Sequence, residues 1–256
     1  MNICLFTQDE INKPLSVHDR RGEHIVKILH KKTGDTFSAG IIGGMAGTAT
    51  ITGITGETSS GGGTVSFSFK PETDGKPLYP LTLIIGFPRP IQLKRLLRDV
   101  AGLGVCAVHL TGTELGEKSY MQSSLVERGA AYQMLLDGTV QAAGTHVPEL
   151  FLHRTLPECM DAVHADGAVK IVLDNVRASC ALTGFLSAHP VKDTGHSGVS
   201  VTAAIGSERG WTDNERAMLE AAGYTRCSMG QRVLRTETAA AVAAAVILAA
   251  MGKLDN

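Results

Sequence analysis

AIGSERGW (Ala204–Trp211) and MGQRVLRTETAAA (Met229–Ala241) each follow an apolar run and each lead into a helical pattern. In the first, Gly206 and Gly210 bracket a tight loop, where glycine permits positive φ and close approach of the backbone to a ligand. Thr212 or Asp213 is placed to cap the helix that follows, with Glu215 or Arg216 in its first turn. In the second, Gly230 again frees the backbone, and Arg232 and Arg235 stand three residues apart, a spacing that can put both on one side of a helical turn or loop, facing an anionic partner. Thr236 reads as the N-cap of the last helix, and Glu237 suits that helix's positive end. Two ordinary strand-to-helix turns with solvated arginines would give much of this pattern, so the residues alone name no reaction.

Working outward, the chain from Leu81 alternates strand and helix. The strands are Leu81–Gly86, Val105–Leu110, Glu149–His153, Val169–Asp174, Val199–Gly206 and Tyr224–Met229. Between them the pattern predicts helices at Ile91–Gly104, over most of Ser119–Ala143, around Glu158–His164, at Asp213–Ala222 and from Glu237 onward. Such alternation specifies an α/β fold with a mostly parallel sheet, and in open sheets of that kind ligands sit beyond the carboxyl ends of the strands. The N-terminal third reads differently. After a helix near Glu23–His30 come short runs at Asp35–Ile42, Gly47–Ile54 and Thr64–Lys70, with a turn at Gly61–Gly63; these suggest a small β-barrel. PETDGKPLYP (Pro71–Pro80) is the expected linker, which divides the chain into residues 1–72 and 73–256.

Bulk composition sets limits. In 256 residues, 43% apolar and 19% charged content is that of an ordinary folded protein. No run approaches the roughly 18 apolar residues of a membrane span, and the N-terminus shows no secretory pattern. Five scattered cysteines without a CxxC pair point to reduced thiols, a cytoplasmic location and no structural metal. The net charge of −1 is neutral on nucleic acid, but charge is segregated. His18–Lys32 (HDRRGEHIVKILHKK) and Phe87–Arg98 (FPRPIQLKRLLR) are both basic.

The two opening segments resemble the signature of the RsmE family of SPOUT methyltransferases, which methylate uracil N3 in small-subunit ribosomal RNA. The family's first loop reads I-G-P-E-G-G, matched by Ile205, Gly206, Glu208 and Gly210. Its second reads L-G-x-R-[IV]-L-R-T-E-T-A, matched without a break from Arg232 to Ala239 and at Gly230. HIVKILHKKTGD (His24–Asp35), Leu103–Val105, Val147–Leu150 and Arg177–Ser179 are similar to further family segments. Ser207 and Arg209 replace the usual proline and glycine, His30 an arginine, and Gly102 a glutamate. Val140 and Thr145 occupy the acidic and basic places of an E-Q-x-x-R pattern.

The resemblance implies a PUA-like N-terminal β-barrel that grips RNA, and a SPOUT α/β domain closed by a C-terminal trefoil knot. It implies S-adenosyl-L-methionine as methyl donor, ribosomal RNA as partner and a homodimer. The cofactor would be held by Ile205, Gly206, Glu208, Gly210, Met229, Gly230, Val233, Leu234 and Thr238. Arg232, Arg235 and Glu237 would serve the chemistry, although first-turn dipole compensation accounts equally for Glu237. Arg20, Arg21, His24, His30, Lys94 and Arg177 would face RNA. Left open are a knotted methyltransferase with another target, such as a ribose 2′-oxygen or a different uridine, and an RNA-binding paralogue that no longer methylates.

Overall fold

The computed structural model describes residues 2–56, 62–122, 129–163, 167–191 and 199–255. The expected turn residue Gly61, the stretch 123–128 of the Ser119–Ala143 helix, and His164 lie outside the described residues. The chain forms two compact units, Met1–Pro77 with Thr139–Val147, and Leu78–Gly138 with Pro148–Asn256.

The first unit is built on a five-stranded sheet of β1 (Cys4–Phe6), β2 (Leu15–Ser16), β3 (Thr36–Ile41), β4 (Ala46–Thr55) and β5 (Thr64–Thr73), in the order β1-β3-β4-β5-β2. Alternating residues of these strands meet in one core of Phe6, Phe37, Ile51 and Val65, with Ile25 added from outside the sheet. Phe67 packs on both Phe6 and Phe37, with ring centroids 4.9 and 5.6 Å away. The boundary between the two units, Pro77/Leu78, falls inside the expected linker Pro71–Pro80, but strands take both ends of that stretch. β5 runs on through Pro71, opposite Gly47 of β4, to Thr73. Proline is tolerated there because β2 pairs only with Thr64 and Val65, leaving the other edge of β5 without a ladder at Pro71. The predicted helix also starts earlier than the periodicity indicated. Asp19 accepts a hydrogen bond from the Arg21 amide and opens α1 (Arg20–Glu23), which continues as a π-helical turn, His24–Ile28.

The second unit is a seven-stranded sheet in which every described pairing is parallel. Its strands are β6 (Tyr79–Gly86), β7 (Val105–Thr111), β8 (Glu149–His153), β9 (Val169–Leu173), β10 (Cys180–Ala181), β11 (Val201–Ile205) and β12 (Thr225–Ser228), in the order β10-β12-β9-β11-β6-β7-β8. The chain steps from β6 outward to β8 and then crosses to the far side of β6 to form β9. The slot between β9 and β6 is filled later by β11, and β12 adds outside β9. All five residues of β11 are buried, as expected for a strand covered on both faces.

The helices of this unit are α2 (Pro90–Gly102), α3 (Lys118–Met121), α4 (Ala130–Gln141, which runs into the first unit), α5 (Leu156–Ala162), α6 (Leu182–Ala188), α7 (Asp213–Ala221) and α8 (Thr236–Ala250). One core joins Ile84, Val172 and Ala204 of the sheet to Leu156, Trp211, Leu219 and Tyr224. Elsewhere α8 packs on α2, β6 and β11. Ala240, Ala243, Ala244 and Ile247 of α8 are fully buried within the chain, so its alanines serve close helix packing in the core. No described helix is long and apolar enough to cross a membrane.

Candidate active site

The crossover brings the carboxyl ends of β9, β11 and β12 side by side, and the three loops that leave them enclose a cavity of about 210 Å³. The loop after β11 is a tight turn: the Gly210 amide donates to the Ser207 carbonyl at 2.8 Å, and Gly210 takes φ +72°. A Cβ on Gly206 would lie 3.0 Å from the Gly210 backbone, so the turn closes this tightly only with glycine at both places. Arg209, which stands where the family has glycine, is absent from the described residues with positive φ, so the turn accepts it without backbone strain. The loop after β12 turns at Gly230, φ +100°.

Several contacts fix these loops. Trp211 is buried, and its indole N–H donates to the Leu173 carbonyl at 3.2 Å, tying the end of the β11 loop to the end of β9. Thr212 caps α7 with a reciprocal capping box to Glu215, as its position suggests. Asp174 accepts from Arg216 Nε at 2.5 Å and from the Val176 amide at 2.9 Å, and Arg216 also reaches Asp213 at 2.9 Å. This nearly buried ion pair holds the β9 loop to α7 at the cavity wall. Thr236 is not the cap of the last helix: Arg235 occupies the N-cap, and Thr236 is the first helical residue. The reason is visible in its contact, since buried Thr236 turns its hydroxyl to the Gly206 carbonyl, 3.5 Å away, and so joins α8 to the β11 loop.

Of the residues assigned to the cofactor, Ile205, Gly206, Glu208, Gly210, Met229, Gly230, Val233 and Leu234 all line the cavity, and Thr238 does not. Arg232 lines it; Arg235 and Glu237 stand at the start of α8, outside the lining. The residues assigned to RNA are dispersed. Lys94 is exposed on α2, and Arg177 is exposed 3.5 Å from Asp213. In the first unit Arg20 and His30 are exposed, His30 at φ +52°, and His24 is half-buried. Arg21 is committed inward, to Asp19, Glu10 and the Leu5 carbonyl.

The chain that forms this lining is similar to known proteins over most of its length. A family model for the RNA methyltransferase domain matches residues 74–248. The chain is 41% identical to ribosomal RNA small subunit methyltransferase E of Treponema pallidum, over 97% of this chain and 91% of that protein. It belongs to the ribosomal RNA small subunit methyltransferase E family. A second relative, ribosomal RNA small subunit methyltransferase E 1 of Borreliella burgdorferi, is 29% identical over the full length of both. The fold matches that of the methyltransferase E of Neisseria gonorrhoeae, solved with S-adenosyl methionine bound, with a TM-score of 0.73, 21% identity and 97% of each chain covered.

Within this methyltransferase E family member, Asp174 and Arg216 are the cavity residues that sequence reading missed as a pair. They are 42 positions apart, and only the β9–β11 adjacency and the placement of α7 bring them together. The available signal was weak: an Asp at a predicted strand end and an Arg in a predicted first turn.

Proposed function

We propose that the chain transfers a methyl group from S-adenosyl-L-methionine to N3 of a uridine in the RNA of the small ribosomal subunit. The observation that carries this reading is the convergence of the two family motifs on one cavity at the carboxyl edge of the parallel sheet. The lining fits the donor. Glycine turns at Gly206, Gly210 and Gly230 expose amides and carbonyls for a methionine moiety and ribose, while Leu173, Ile205, Val233 and Leu234 offer apolar surface to an adenine. Val233 is 81% exposed, and the buried Ser207 hydroxyl has no partner among the described residues; a bound donor would answer both.

S-adenosyl-L-methionine supplies an electrophilic methyl on a sulfonium, and transfer to nitrogen is an in-line displacement. The residues of the chain then have two tasks, orientation and charge. The three loops would hold the donor and limit its freedom relative to the acceptor. Arg232, on the cavity wall, would stabilise the negative charge that uracil develops as its N3 proton passes to water. Arg235 and Glu237, at the positive end of α8, orient that region from the first turn. Because N3 lies on the pairing edge of the base, the target uridine is presented unstacked or in a loop.

In this reading the first unit, Met1–Pro77 with Thr139–Val147, is a PUA-like RNA-binding barrel, and the second unit is a SPOUT domain with a C-terminal trefoil knot. Arg20, His24 and His30 meet the RNA, and Arg21 holds the turn that presents them. Lys94 and Arg177 add contacts from the second domain. The enzyme works as a cytoplasmic homodimer without a metal. Calorimetric titration with S-adenosyl-L-methionine tests the foundation: one site per chain is expected, and an absence of both heat and a ligand-induced rise in Tm would reject every methyltransferase reading and leave an RNA-binding paralogue.

A further inference from the structure

A second and larger cavity, about 520 Å³, opens on the same edge of the sheet, at the carboxyl ends of β6, β7 and β8. We propose that this cavity is the acceptor site, receiving the nucleoside to be methylated from an RNA strand, base first; the proposal rests on the methyltransferase reading above.

It lies directly beside the first cavity. A Cβ placed on Gly86, the last residue of β6, would lie 2.5 Å from the Ser207 amide and 2.9 Å from Thr113 Cγ2. Ser207 lines the first cavity and Thr113 the second, so little more than the Gly86 backbone separates them. Arg89 spans the same boundary. Its guanidinium lies 3.6 Å from Glu208, a wall of the first cavity, and hydrogen-bonds the Tyr120 hydroxyl at 3.2 Å, in the helix whose Lys118 and Met121 line the second. The two walls are also clamped together. The Glu114 amide donates to Glu215 at 2.8 Å, and the Glu114 carboxylate accepts from Thr212 and Asn214, each at 2.6 Å. Thr212 follows directly on the loop of the first cavity, so these bonds tie the loop after β7 to it.

The lining suits a nucleoside. Phe87, Met121, Leu156 and Met218 give flat or adaptable apolar surface for the faces of a base. Lys118 and Arg154 are exposed cations at the same cavity, where a strand entering base first brings its phosphates. Thr113 keeps a shielded hydroxyl with no partner among the described residues, which a rotation would turn toward a heterocycle edge. Its volume falls in the range of small-molecule sites. A donor in the first cavity and a base in the second meet at the rim formed by Glu208 and Arg89, the adjacency an in-line transfer requires.

The test fills the second cavity and leaves the first alone. Met218→Trp fills it from α7, and Glu117→Trp, at an exposed position, fills its mouth with little demand on folding. Each is assayed for S-adenosyl-L-methionine affinity by calorimetry and for methyl transfer to small ribosomal subunits from cells lacking the gene. The expected result is donor affinity within threefold of wild type and at least a 50-fold loss of kcat/KM for the subunit in at least one variant. Transfer within threefold of wild type in both variants would overturn the acceptor site while leaving the methyltransferase reading intact. A wild-type protein that binds no donor, or transfers no methyl to subunits, would overturn both.

Discussion

Arg21 sits on the face of Phe6, 4.7 Å from the ring centroid, and spends its guanidinium on Glu10, Asp19 and the Leu5 carbonyl. These bonds hold the Glu10 carboxyl well below its usual range, at about 2, with the Arg21 hydrogen bond as the main cause. A carboxyl pKa depressed by folding adds stability above its unfolded value near 4.5, and that stability is lost as pH falls toward 2. Arg21→Met should therefore lower stability at pH 7 by about 2 kcal/mol, the scale of hydrogen bonds to charged groups, and should flatten the acid limb below pH 4.5 in urea titrations. Retention of that limb would remove Arg21 from this role.

A second titrating device lies in the other unit, where buried His109 and His153 share a hydrogen bond, Nδ1 to Nε2 at 2.9 Å. Their ring centroids are 5.1 Å apart with planes 5° from parallel, so the two nitrogens point at each other and hold a proton. Burial, reinforced by His153, lowers the His109 pKa to about 4. The unfolded chain then binds more protons between pH 6.5 and 4, so stability falls as pH drops through that window, by roughly 3 kcal/mol. His109→Phe should remove this slope from denaturation measured between pH 7 and 4; an unchanged slope would place the titration elsewhere.

At the scale of elements, the loop after β11 and the start of α7 act as one piece because Thr212 both caps the helix and binds Glu114. Thr212→Ala should cost about 1 kcal/mol from the lost cap alone, read as a fall in the urea midpoint, with a further loosening of the β7 loop visible as faster amide exchange at Glu114. Gly206→Ala should lower that midpoint as well and weaken binding of S-adenosyl-L-methionine at least tenfold, because its Cβ opens the turn against Gly210. Wild-type affinity in calorimetry would show that the turn has room to spare.

These elements also explain what was legible in the sequence. The long strands and helices of the second unit follow their apolar periodicity, and the glycine turns follow from residue type; the cofactor residues came from the family resemblance, and eight of them line one cavity. The two- and three-residue strands β1, β2 and β10 are too short to carry a period, and α6 was missed with β10 directly before it. Arg235 in place of Thr236 at the cap reflects a tertiary contact, the Thr236 hydroxyl facing Gly206, that no local pattern encodes. The Asp174–Arg216 pair and the second cavity depend on strand order, which alternation alone leaves undetermined.

For the whole molecule, the order of the parallel sheet turns two separate motifs into one site, and membership of the methyltransferase E family agrees with the chemistry the lining supports. The activity proposed for that site is transfer of a methyl from S-adenosyl-L-methionine to N3 of a uridine in small-subunit RNA. The direct measurement is nucleoside mass spectrometry after incubating the full chain with small subunits from cells lacking the gene and a donor carrying a deuterated methyl group. Labelled 3-methyluridine in the subunit RNA is the expected result. A label found only on another nucleoside or on ribose, or none at all from a chain that binds the donor, would contradict it.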